Sequence, residues 1–255
     1  MLFSYIYNGD LMFKIGDLVT RKSYDNDVIF TIIDFNEDLY FLKGKYIRLY
    51  ADSKEEDLVD AVDMDDFRVD SFRNLDRSNY FYLPGTILHI DGDEDYLKKC
   101  MDFYKENELK AIGKCEIECN VSKNIANWIK EYKPNIIVIT GHDYKKNNEY
   151  KNTKYFVDSI KECRRIIRNQ DELIIIAGAC QSDYESLICA GANFASSPKR
   201  INIHALDPAI IACSMAYSDC NKKIDIISIL ERTKYGCDGI GGIITKGTMY
   251  IGYPR

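Results

Sequence analysis

PNIIVITGHD, residues 134–143, and ELIIIAGACQSD, residues 172–183, each hold an unbroken apolar run that ends in glycine and then in reactive polar residues. A strand wetted on one side alternates apolar with polar positions. A run without alternation is covered on both faces, as in the middle of a parallel sheet. Working outward, TILHI at 86–90 and AIGKCEI at 111–117 have strand character, and residues 192–196 supply a fifth short strand. Helical periodicity falls between them, over 94–106, 122–131 and 153–167, with further helices over 209–216 and 224–232. Strands alternating with helices and joined by right-handed crossovers predict an α/β fold, a mostly parallel three-layer sandwich. At the C-terminal end, GIGG (239–242) reads as a flexible turn, and GIIT and TMYIGY close as a hairpin through Lys246-Gly247.

The charge pattern divides the chain. Residues 51–79 carry ten acids against four bases, and that excess equals the net charge of −6 of all 255 residues, so the two flanks sum to zero. Carboxylates in such density resist burial, so 51–79 reads as an exposed acidic connector. Ahead of it, KIGDLVTRKS, VIFTIIDF, YFLKG and KYIRLY are short β-rich runs punctuated by Gly, Asp and Asn. They predict a small twisted sheet or β-barrel-like (SH3-like) domain over 12–50. Val19, Ile29, Ile32, Phe41 and Ile47 are its candidate core, and Arg21, Lys22, Lys43, Lys45 and Arg48 its candidate surface cations. The first eleven residues stand outside this pattern. Residues 80–255 make the α/β domain.

A composition 46% hydrophobic and 29% charged suits a folded protein and excludes global disorder. The acidic balance gives no general attraction to nucleic acid. No run reaches the roughly 18–20 apolar residues of a membrane span, and the N-terminus has no secretory-leader pattern. Nine cysteines without framework spacing fit a reducing cytoplasm. Cys115 and Cys119 are only a weak metal-site hint because no second compact pair follows, and the acidic connector lacks the spacing of a calcium-binding loop. No cofactor or metal is expected.

In an open parallel sheet, reactive groups collect beyond the carboxyl ends of the strands. Three such ends are polar here: Asp91-Gly92-Asp93, Gly141-His142-Asp143 and Ala179-Cys180-Gln181-Ser182. If the last two strands are neighbours, His142 and Cys180 share one crevice. An imidazole partner and a helix N-terminus both favour a thiolate, so the pair suggests nucleophilic catalysis by Cys180. The N–H groups of Cys180 and Gln181 are then candidate oxyanion donors. His204 is the alternative base, and His89, inside an apolar strand, reads as packed.

The blocks FKIGDLVTRKSY, YFYLPGTILHIDGDEDYLKKC, PNIIVITGHD, IIIAGACQSDYESLICAGANFASSPKRINIHALDP and GIGGIITKGTMYIG together resemble the YabG family, sporulation-specific cysteine proteases of spore-forming Firmicutes. The likeness covers essentially everything after the first eleven residues. It implies a protease of the mother-cell cytoplasm, associated with the forming spore coat, that acts on spore-coat or cortex-associated proteins and cleaves after Arg. It also brings a wider similarity to caspase-like (clan CD) peptidases, which implies His142 as acid or base and Cys180 as nucleophile. Caspase-like enzymes place Gly after the catalytic His to supply an oxyanion N–H. Asp143 stands there in this chain.

An Arg side chain calls for paired carboxylate oxygens in a cleft. The candidates for that pocket are Asp91, Asp93, Asp207 and Asp183, with Asp91 favoured and Asp207 next; the alternative for all four is an ordinary turn or cap role, which suits Asp183 at its helix start. Self-processing would act at Arg68, Arg73, Arg77 or Arg200. Two other functions remain open on the residues: another thiol-dependent acyl-transfer enzyme (amidotransferase or thioesterase), and a non-enzymatic scaffold for coat assembly.

Overall fold

Short β-branched and aromatic runs at the N-terminal end have one face to bury. The long isoleucine runs further on have two. The chain accordingly folds as two compact units, residues 1–66 and 67–255. The computed structural model describes residues 12–254 except 37, 66, 70, 73, 74, 147 and 148. The first eleven residues, Asp66, Asp70 and the candidate cleavage residue Arg73 lie outside the described residues.

The first unit contains β1 (Leu18–Arg21), β2 (Phe30–Asn36), β3 (Leu39–Gly44), β4 (Tyr50–Lys54) and β5 (Leu58–Asp60). They form one antiparallel sheet in the order β4-β3-β2-β1-β5. Phe13, Val19, Phe30, Ile32, Tyr40, Leu42 and Leu58 make its core. Phe41, expected inside, is exposed, because the two-residue period of β3 turns Tyr40 and Leu42 inward instead. Arg48, expected at the surface, is buried, its guanidinium included. Residues 51–60, assigned to the connector by their charge, form most of β4, a 3-10 turn and β5. In β4 Asp52 faces outward while Ser53 faces inward, so only one side of that strand needs to be free of charge, and in β5 Leu58 is buried while Asp60 is exposed at the strand end.

The second unit follows the order β6 (Phe81–Leu83), β7 (Ile87–Asp91), α1 (Glu94–Glu106), β8 (Ala111–Cys115), α2 (Glu118–Tyr132) and β9 (Ile136–Thr140). A small hairpin, β10 (Lys145–Lys146) and β11 (Glu149–Tyr150), leads to α3 (Thr153–Ile166), β12 (Ile174–Ala177), α4 (Tyr184–Ala190) and β13 (Phe194–Ser196). Then come α5 (Asp207–Ala216), α6 (Ile226–Leu230), β14 (Ile240–Gly242) and β15 (Tyr250–Gly252). The main sheet runs β14-β13-β12-β9-β7-β8, parallel except for β14 at one edge.

Alternate side chains of each central strand feed two separate cores. Ile87, Val138, Ile174 and Ile176 pack with α1, α5 and α6. Leu88, Ile90, Ile137, Ile139 and Ile175 pack with α2, α3 and α4. Among the described residues no helix is long and apolar enough to cross a membrane.

The C-terminal hairpin does not form. β15 pairs with β6, and β14 joins the main sheet against β13. GIGG is therefore edge strand rather than loose turn. A Cβ on Gly242 would lie 2.5 Å from the Phe194 ring, so only glycine lets the two backbones meet.

Asn193 locks the start of β13 to its neighbours. Its Oδ1 accepts the Ile175 N–H at 2.8 Å and an Arg164 Nη2 bond at 2.7 Å, and its Nδ2 donates to the Gln170 carbonyl at 3.0 Å. The side chain is fully buried. Asn193→Ala strands a strand N–H and a guanidinium, and is expected to lower the unfolding free energy by about 2–4 kcal/mol in a urea titration.

Candidate active site

β9 lies between β7 and β12, and all three run parallel, so their carboxyl ends share one rim of the sheet. His142 follows β9 by two residues and Cys180 follows β12 by three. The two loops are tied together by the residue after the histidine. The Asp143 carboxylate accepts N–H bonds from Tyr144 at 2.9 Å and Asn152 at 2.8 Å, and hydroxyl bonds from Thr153 and, at 3.2 Å, from Ser182. Ser182 belongs to the cysteine loop and accepts the Ala179 N–H at 2.9 Å. Thr153 opens α3 and also accepts the Asp183 N–H at 3.1 Å. A single buried carboxylate thus joins the histidine loop, the cysteine loop and a helix start. Burial pushes its pKa above the ordinary carboxylate range, with the hydrogen bonds offsetting part of that rise.

Cys180 sits in a turn that ordinary backbone cannot make, with Gly178 at φ +110° and Gln181 at φ +64°. Its sulfur accepts the Ile203 N–H at 3.2 Å, a bond that favours a thiolate. The residue is 5% exposed. Burial raises the Cys163 thiol to about 12 and also pushes Cys213 upward, which keeps both protonated and inert. Gln181, a sequence candidate for the oxyanion site, donates its N–H to Ser197 Oγ at 3.2 Å, so that donor is already engaged. The Asp143 N–H meets no acceptor among the described residues.

His142 is held on three sides. Its N–H donates to Glu118 Oε1 at 2.8 Å, its carbonyl accepts from Asn152 Nδ2 at 2.6 Å, and its Nε2 lies 3.3 Å from Asp93 Oδ2. About a third of the side chain is exposed. Glu118 escaped the sequence reading. The available signal was a pair of strand-end glycines, because a Cβ at Gly141 would lie 2.3 Å and one at Gly92 2.7 Å from Glu118 Oε1.

Each of the four pocket acids is engaged by nearby backbone groups, and two are fully buried. Asp91 is fully buried, its Oδ1 accepting the Asp93 N–H at 2.9 Å and its Oδ2 the Thr140 hydroxyl at 2.7 Å. Asp207 is fully buried too, accepting the N–H groups of His204 and Lys234, each at 2.9 Å. Asp93 caps α1 through Oδ1 and turns Oδ2 to His142, while Asp183 caps α4. In each case backbone N–H groups claim the acid first. Strand-end and helix-start positions offer unpaired donors, and a short acidic side chain answers them locally. His204 is buried, its Nδ1 accepting the Leu206 N–H at 3.2 Å and its ring packed on Phe67. His89 is buried between Tyr104 and Thr140. Among the described residues no three His, Cys, Asp or Glu side chains gather to hold a metal ion.

An α/β domain with reactive groups at its strand-end rim is the architecture of many hydrolases, and comparison with known proteins gives the class. The family described as YabG peptidase U57 matches residues 14–73 and 67–254, so the chain belongs to the YabG peptidase family. It is similar to the sporulation-specific protease YabG of Bacillus subtilis (strain 168), 39% identical over 287 residues that cover 96% of this chain and 99% of that protein. The chain is therefore a protease of a sporulation family, and its substrates are proteins.

Removing the Asp143 side chain leaves two backbone N–H groups and two hydroxyls without their shared acceptor. Asp143→Ala is expected to destabilise the fold by about 2–4 kcal/mol. Asp143→Asn, which keeps one acceptor oxygen, should cost less. Because the folded-state pKa is raised, the native chain takes up this proton before the unfolded chain does as pH falls. The stability of the wild type relative to Asp143→Asn should therefore increase as pH falls toward the ordinary carboxylate range, read by urea melts of both forms.

Proposed function

We propose that this protease is a cysteine endopeptidase in which Cys180 is the nucleophile and His142 the acid and base. The observation that carries the reading is the imidazole and the thiol standing after adjacent parallel strands, with their loops joined through Asp143 and Ser182. The Ile203 N–H on the sulfur supports the thiolate. The strand order, with histidine after β9 and cysteine after β12, agrees with a caspase-like arrangement.

In this mechanism the thiolate attacks the scissile carbonyl carbon. The Cys180 and Asp143 N–H groups receive the developing oxyanion. Imidazolium at His142 gives its proton to the leaving amine, and the neutral imidazole then takes a proton from the water that hydrolyses the thioester. The second compact unit is the peptidase domain, and the first is a separate module. The family resemblance supports cleavage after Arg in spore-coat or cortex-associated proteins, in the mother cell. Because Asp91 and Asp207 are buried, recognition of that Arg falls to other groups. Self-processing belongs to the same reading, since Arg68, Arg77 and Arg200 are exposed.

The test compares wild type, Cys180→Ala and His142→Ala on Arg-containing polypeptides, with mass spectrometry of the products. Both substitutions are expected to lower kcat by at least about 1,000-fold with the fold retained. Full turnover by Cys180→Ala removes the mechanism. N-terminal sequencing of wild type beside Cys180→Ala reads self-processing, and identical intact termini argue against it.

A further inference from the structure

The acid nearest the imidazole is not spent on its helix. Asp93 caps α1 with one oxygen, Oδ1, which accepts from Asp95 N at 3.0 Å and Tyr96 N at 3.2 Å. The other, Oδ2, faces His142 Nε2 at 3.3 Å, and the residue is only 7% exposed. Both ends of this pair are fixed from below by one buried group. Asp91 accepts the Asp93 N–H through Oδ1 and the Thr140 hydroxyl through Oδ2, and Thr140 precedes His142 by two residues. Thr140 Oγ1 in turn lies 3.0 Å from His89 Nε2, and His89 Nδ1 lies 2.9 Å from the Tyr104 hydroxyl. This chain of hydrogen bonds runs from the core to the rim. Its outermost member is the Asp93 carboxylate.

The geometry points to Asp93 as the positioning residue for His142, holding the neutral imidazole with its proton on Nε2 and leaving the Nδ1 lone pair to take the thiol proton. This rests on the proposed roles of His142 and Cys180. A carboxylate only accepts hydrogen bonds, so contact with Oδ2 requires the proton on Nε2. The basic nitrogen is then Nδ1. Once the thiol proton has moved to Nδ1, the Asp93 carboxylate stabilises the imidazolium. The titratable groups placed against His142 are Asp93 and Tyr96 from the α1 end and Glu118 from α2, with Asp143 next to it in its own loop, and Cys180 follows the neighbouring strand. Among these, Asp93 is the acid seen at a ring nitrogen, whereas Glu118 meets the backbone N–H.

Asp93→Asn separates positioning from structure, because asparagine caps a helix about as well as aspartate. Its amide donates toward Nε2 and so selects the opposite tautomer. kcat is expected to fall on the order of 100-fold, with KM changed by no more than about twofold. The alkaline limb of the kcat/KM profile should move to lower pH as the imidazolium loses its partner. Asp93→Ser, which also caps but cannot reach the ring, should show the same loss and serves if the first variant folds poorly. Nitrogen NMR of labelled protein reads the tautomer without any substrate: His142 protonated on Nε2 in the wild type and on Nδ1 in Asp93→Asn. The inference is overturned if the wild type carries its neutral proton on Nδ1. It is equally overturned if Asp93→Asn keeps the wild-type kcat and pH profile while Cys180→Ala and His142→Ala are inactive. An active Cys180→Ala would instead overturn the catalytic reading, whatever the tautomer.

Discussion

A carboxylate taken out of water must have its lone pairs answered, and Asp143 answers them with groups from three different elements. Two of its bonds come from backbone N–H groups at the end of the histidine loop and the start of α3, and two from the hydroxyls of Thr153 and Ser182. The arrangement converts a desolvation cost into geometry, since no partner can move without leaving another buried group unsatisfied. The loops after β9 and β12 are in this way made one body. The relative placement of imidazole and thiol depends on that body more than on either loop alone.

The same economy runs through the rest of the rim. Asp91, Asp93, Asp183 and Asp207 are all used to hold strand ends and helix starts. Glu118 extends the pattern from α2, crossing two glycines to reach the His142 N–H. Such a rim is acidic by composition but internally satisfied. A cluster of acids at parallel strand ends is first a device for ordering loops, and only then a source of binding groups.

In the first unit the charge pattern and the strand pattern are superimposed. A sheet with one wet face accepts an acid at every second position without cost to its core, so Asp52 sits in a strand whose next residue, Ser53, faces inward, while Asp60 is exposed at the end of its strand. Counting charge along the chain averages over both faces and hides that alternation. The boundary between the units falls at residues 66 and 67, inside the acidic stretch rather than ahead of it.

The isoleucine runs announced central parallel strands because their neighbours in sequence already exclude water from both faces. Helices at 94–106 and 153–166 were legible from their 3.6-residue period, and the reactive residues from their place just after strand ends. Which strand lies beside which is not a local property, and it was the order β12-β9-β7 that brought His142, Cys180 and Asp93 to one rim. The pairing of β14 with β13 and of β15 with β6 was likewise invisible, since Lys246-Gly247 is a good turn signal whatever its flanks join. Residue identities by themselves determined the fold class and the reactive groups available. Only the tertiary structure decided which acids are buried and which nitrogen of His142 faces a carboxylate, because hydrogen-bond partners and exposure come from residues 24 to 49 positions away.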